Sequence, residues 1–169
     1  GVNMLITKPL FKSSLISTFE KIFSKKEVAK ATPKHTTYDF SYKRILLVED
    51  HILNVEVARR LLQAKGMEVE VAENGLIAIE AFASQPIGYF DAILMDIRMP
   101  VMDGLTATRS IRQLRKANAK TIPIIAMSAN AFDEDIEKSR LAGMSAHLSK
   151  PIEPQLLYDT LAQYLEKEK

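Results

Sequence analysis

The 169-residue chain has no cysteine and only three widely spaced histidines. Disulfides, thiol catalysis and thiolate metal sites are therefore excluded, and a zinc cluster lacks its usual ligands. Any resident metal must be held by oxygen. No apolar run approaches the ~20 residues that a membrane span needs, and the N-terminus lacks a secretory pattern. The chain reads as intracellular. A strong charge imbalance is missing too, the net charge being +2, but this figure conceals a split. Residues 1–44 hold nine Lys/Arg against three Asp/Glu, whereas residues 45–169 hold fourteen against eighteen. The larger part is mildly acidic, so no nucleic-acid partner is expected.

What is present is an ordinary globular balance, 47% hydrophobic and 26% charged, long enough for one domain and an appendage. Leu10, Leu15, Phe19, Ile22 and Phe23 form an apolar face flanked by lysines, which predicts an amphipathic helix over residues 10–24. Residues 25–41, rich in Lys, Thr and Ser and interrupted by Pro33, read as a linker. A repeat then appears at an offset of 142: Gly1 aligns on Gly143, Lys8-Pro9 on Lys150-Pro151, Leu15 on Leu157 and Phe23 on Leu165. Residues 1–24 are therefore expected to be the terminal strand and helix of a preceding domain of the same kind as residues 42–169. The apolar stripe of that helix is an expected association surface, for a homodimer among other partners.

From Lys43 onward strands and helices alternate. Ile45 to Val48, Met67 to Ala72, Ala92 to Met95, Ile122 to Met127 and His147 to Ser149 read as strands. The helices between them are expected to bury Leu53, Val57, Ala58, Leu61 and Leu62 in the first and Ile77, Ala78, Ala81 and Phe82 in the second. The third is expected to bury Leu105, Thr108, Ile111 and Leu114 and to turn Arg109, Arg112, Arg115 and Lys116 outward. Five strands alternating with five helices predict an α/β fold with a doubly wound parallel sheet.

Four of these strands end in groups capable of chemistry: Glu49-Asp50, Asp96, Ser128 and Lys150. In a parallel sheet those ends converge on one crevice. Gathered carboxylates raise one another's pKa unless a cation is near, and hard oxygen ligands suit Mg²⁺. Lys150 and Ser128 suit phosphoryl oxygens. Each residue also has an ordinary structural reading as a helix cap, a turn residue or a solvated strand end.

The segments ILLVEDHILN, LMDIRMPVMDG, PIIAMSANAF and HLSKPI, in that order over residues 42–169, resemble the receiver domain of two-component response regulators. The resemblance implies a flavodoxin-like strand order 2-1-3-4-5 and a phosphoacceptor at Asp96. It also implies an Mg²⁺ site made by Asp50, by Glu49 through water, by Asp96 and by the backbone carbonyl of Arg98. Ser128 would bond a phosphoryl oxygen, Lys150 would pair with phosphate or Asp96, His147 would be the switch aromatic, and the Lys150-Pro151 bond would be cis. Glu49 stands where relatives more often carry Asp, and His51 where they often carry Asn.

The wording of VEDHILNVEVARRLL and the repeat resemble the tail of a hybrid sensor histidine kinase. That resemblance implies a kinase phosphohistidine as donor, a histidine phosphotransfer domain as recipient and a cytoplasmic position, with the membrane reached only through the parent protein. Two other functions compete. An aspartate-nucleophile phosphohydrolase generally carries a second Asp two residues after the nucleophile, where this chain has Arg98. A phosphorylation-independent scaffold predicts damaged acidic ligands or a missing Lys, and neither is seen.

Overall fold

Short apolar runs bounded by turn residues become five parallel strands in the computed structural model, which describes residues 38–129 and 133–165. They are β1 Arg44–Val48, β2 Glu68–Ala72, β3 Ala92–Asp96, β4 Ile124–Ser128 and β5 Ala146–Ser149. Their order is β2-β1-β3-β4-β5, as the resemblance implied. The helices are α1 Ile52–Gln63, α2 Gly75–Ser84, α3 Gly104–Arg112, α4 Asp133–Ala142 and α5 Pro154–Leu165. The expected helix and strand of residues 1–24 lie outside the described residues, as does the linker up to residue 37. Residues 38–41, expected in the linker, belong to the same compact unit as the strands. Phe40 is 1% exposed, and its N–H donates to the Lys65 carbonyl at 2.9 Å.

Alternation along each strand sends side chains to two separate cores. Ile45, Leu47, Leu94, Ile125 and Met127 pack with Val55, Ala58, Leu157 and Leu161 of α1 and α5. Leu46, Val48, Ile93, Met95 and Ile124 pack on the other face with Ala78, Phe82, Ala107 and Ile111 of α2 and α3. Every residue of β3 and β4 is buried, each large side chain contributing about 1.5–3 kcal/mol of transfer free energy. Strand β2, with its alternating glutamates, lies at an edge as expected.

Local signals fix where the helices start. Asn74 accepts from the Ile77 N–H at 2.9 Å, and Asp103 accepts from the Thr106 N–H at 2.7 Å, so both short acidic or amide side chains cap the turns they precede. Gly104 follows because nothing larger fits there: an added Cβ would stand 2.2 Å from the Asp96 carbonyl oxygen. The Gly104 N–H donates to Ile97 O at 2.8 Å, folding the β3–α3 loop back on the end of its own strand.

Three expectations about helix faces need correction. Helix α1 buries Val55, Ala58 and Leu62, while Leu53 and Val57 are exposed. Helix α2 buries Ala78 and Phe82 but leaves Ile77 exposed. Arg112 does not point freely outward: its Nε and Nη2 donate to Gly143 O at 2.9 and 2.8 Å, and its Nη1 to Ala119 O at 3.0 Å. A planar fork can tie two otherwise loose carbonyls together, which a flexible ammonium does less well.

Candidate functional site

The sheet register puts the chemistry on one rim. Val48 pairs with Met95, Asp96 with Met127, and Ser128 with Ser149, so Glu49, Asp96, Ser128 and Lys150 all stand at the carboxyl ends of neighbouring strands. Glu49 is 2% exposed and Asp96 4%, whereas Asp50 projects from the rim. One carboxylate oxygen from each of Glu49, Asp50 and Asp96 lies within 4.8 Å of the others. Such a hard-oxygen cluster fits a small divalent cation, which is the chemistry expected of an Mg²⁺ site.

Lys150 closes the pocket from the far side of β4. Its Nζ stands 3.0 Å from Glu49 Oε1 and 3.2 Å from Asp96 Oδ1. The other Glu49 oxygen accepts from the His51 N–H at 3.2 Å and from Asn54 Nδ2 at 3.3 Å. Burial, followed by the negative charge of Glu49, pushes Asp96 up to about 6 against the lowering effect of Lys150. Burial lowers the Lys150 ammonium, but its hydrogen bond to Glu49 and the charges of Asp96 and Glu49 outweigh it, so its pKa is raised overall. The pair is thus unequal: the ammonium is fixed in its charged form, while the central carboxylate is held at the edge of ionisation near neutral pH.

Ser128, next to the Met127 that pairs with Asp96, is bonded to β5. Its Oγ lies 2.9 Å from His147 Nε2, and His147 Nδ1 lies 3.2 Å from Ser139 Oγ. Ser139 is buried in α4 and its hydroxyl donates to Asp135 O at 3.0 Å. The Lys150-Pro151 bond is cis, as expected. Among the expected site residues, the structure brings together Glu49, Asp50, Asp96 and Lys150, joins Ser128 to His147, and leaves the Arg98 side chain exposed on the loop after β3.

Two residues of this neighbourhood escaped the sequence reading. Asn54, within the ILLVEDHILN segment, is one helical turn past Asp50 and so returns its amide to Glu49. Ser139 gave only the faint signal of a polar residue three before Ala142 on an otherwise acidic and basic helix.

A family model described as the response regulator receiver domain matches residues 45–162. A probable histidine kinase of Oryza sativa subsp. indica is 36% identical over 151 residues, covering 72% of this chain and 15% of the relative. Histidine kinase 2 of Arabidopsis thaliana is 31% identical and aligns with 98% of this chain, but with 16% of its own length. The chain therefore spans about a sixth of these curated relatives. Among solved structures, the receiver domain of a Pseudomonas aeruginosa sensor histidine kinase, with a magnesium ion coordinated in its active site cleft, is 38% identical with a TM-score of 0.67. That match covers 74% of this chain and 98% of the other. A complex of the Saccharomyces cerevisiae histidine phosphotransfer protein Ypd1 with the receiver domain of Ssk1 is 26% identical, with a TM-score of 0.67 over 75% of this chain and 90% of the other.

Proposed function

We propose, since the chain belongs to the response regulator receiver domain family, that Asp96 is the phosphoacceptor of a phosphorelay. The observation that carries this reading is the buried Asp96 carboxylate held 3.2 Å from Lys150 at the centre of a three-carboxylate cluster. An Asp96 oxygen attacks the phosphorus of a phosphohistidine as the P–N bond breaks. The bonding pair leaves with the donor imidazole, and an acyl phosphate remains. An ionised carboxylate has no proton to lose, so the step calls for no general base.

Glu49, Asp50, Asp96 and the Arg98 carbonyl would hold Mg²⁺, which when bound supplies positive charge to the phosphoryl oxygens. Support comes from the clustered oxygens here and from the magnesium in the Pseudomonas receiver. Lys150 offsets charge on the transferring group, and Ser128 receives one of its oxygens. Arg98, where a phosphohydrolase would carry a second acid, supports relay over hydrolysis.

The wider setting follows the relatives. The donor is a histidine kinase domain and the recipient a histidine phosphotransfer protein, as the kinase relatives and the Ypd1 complex suggest. The setting is cytoplasmic, and among the described residues no helix is long and apolar enough to cross a membrane. Residues 1–24 are a second receiver-like remnant in this scheme, and the alignment with the Arabidopsis kinase over 98% of the chain supports that assignment. The test is labelling by a phosphorylated kinase or a small acyl phosphate with Mg²⁺. Wild type is expected to label and Asp96→Asn to remain unlabelled, and equal labelling of the two overturns the assignment.

A further inference from the structure

Ser128 and His147 are bonded to each other, and the direction of that bond is set from behind. Because the Ser139 hydroxyl spends its only proton on Asp135 O, it can only accept from His147, so the imidazole carries its hydrogen on Nδ1. A neutral imidazole with hydrogen on Nδ1 presents a bare lone pair at Nε2. Ser128 Oγ, 2.9 Å away, must therefore donate to it. His147 Nε2 then competes for the Ser128 proton that a phosphoryl oxygen on Asp96 needs.

We propose that Ser139 is a positioning residue of the switch: by fixing the His147 tautomer it makes His147 compete with the phosphoryl group for Ser128. This inference rests on the phosphoacceptor reading of Asp96 and adds to it a residue on α4 that touches neither phosphate nor metal. Phosphorylation breaks or reverses the Ser128–His147 bond, and the strength of the Ser139 anchor sets how strongly the unphosphorylated arrangement resists. Loss of that anchor lets the imidazole place its hydrogen on Nε2, donate to Ser128 and free the serine proton for the phosphoryl oxygen. The bond between Ser139 and Asp135 O also couples the arrangement to the first turn of α4, so the phosphorylation state is read by the helix backbone.

The experiment uses the full chain with Mg²⁺ and beryllofluoride, a stable mimic of the acyl phosphate, together with imidazole ¹⁵N shifts of His147. In the wild type the shifts are expected to report hydrogen on Nδ1, and mimic binding is expected to remove that signature. Ser139→Ala is expected to shift His147 towards hydrogen on Nε2 and to tighten the mimic about threefold to tenfold. Ser139→Thr retains the hydroxyl, its methyl entering the cleft of about 130 Å³ lined by Ile136, Met144 and His147. It is expected to restore wild-type affinity. In a His147→Phe background Ser139→Ala is expected to leave affinity unchanged, a control that also serves if the single variant folds poorly. Hydrogen on Nε2 in the wild type, or an unchanged affinity and tautomer in Ser139→Ala, overturns the proposal. Failure of the wild type to bind the mimic at all counts instead against Asp96 as acceptor.

Discussion

At the scale of single residues, Asp96 is a destabilising group in its own fold. Its carboxyl is raised from 3.8 to about 6 by burial and by Glu49, so between those values the folded chain keeps a proton that the unfolded chain has released. Stability therefore falls as pH rises from about 4 through 6, and the cost is complete above that window. In a chelator-containing buffer, Asp96→Asn is expected to be more stable than wild type at pH 7.5 by about 1–3 kcal/mol. The difference should shrink towards zero near pH 4, and parallel melting curves at the two pH values would contradict it. Val101 is a second strained residue, with φ of 69° on the loop between β3 and α3 and 77% exposure. A β-branched side chain resists the left-handed region, so Val101→Gly is expected to raise stability by about 1 kcal/mol in denaturant titrations.

At the scale of elements, the join between β3 and α3 is the least tolerant place. Gly104→Ala drives a methyl group against the Asp96 carbonyl, and the loop must move to admit it. A loss of about 2 kcal/mol or more is expected from overpacking at a backbone contact, with a matching fall in the rate of phosphoryl uptake. Melting temperature and labelling rate are the checks, and a variant that loses neither would show that the loop gives way freely. This join also explains why some features were legible beforehand. LMDIRMPVMDG announces a buried strand, a carboxylate and a cap in order, and Asp96, Asp103 and Gly104 each do locally what their residue types suggest. Helix α1 was harder because it carries two apolar stripes, Leu53-Val57-Leu61 and Val55-Ala58-Leu62, one residue apart in phase. Periodicity alone does not choose between them; the sheet and α5 do, by packing on the second. Arg112 departs from its expected outward face for a related reason, since the carbonyls it binds belong to segments 7 and 31 residues away.

At the scale of the whole molecule, the rim of the sheet assembles distant residues that no local pattern connects. Strand ends told which residues would meet, but the relay from Ser128 through His147 to Ser139 required knowing which turn of α4 faces β5. The acidic cluster makes a further prediction. Mg²⁺ at tenfold excess over its Kd should raise stability by about 1.4 kcal/mol, and Asp50→Lys should abolish that gain. Thermal melts with and without chelator measure it, and equal curves for the wild type would remove the metal from the site.

Lys150 gives the same rim a tethered counterion. An ammonium carried on the chain cannot be diluted away, so its local concentration around Glu49 and Asp96 is set by covalent connection alone. The acidic pocket is therefore built to assemble at any metal concentration, and the arriving ion meets a finished cup rather than shaping one. Any ion that binds there adds its own free energy to a pocket whose charge Lys150 already partly offsets.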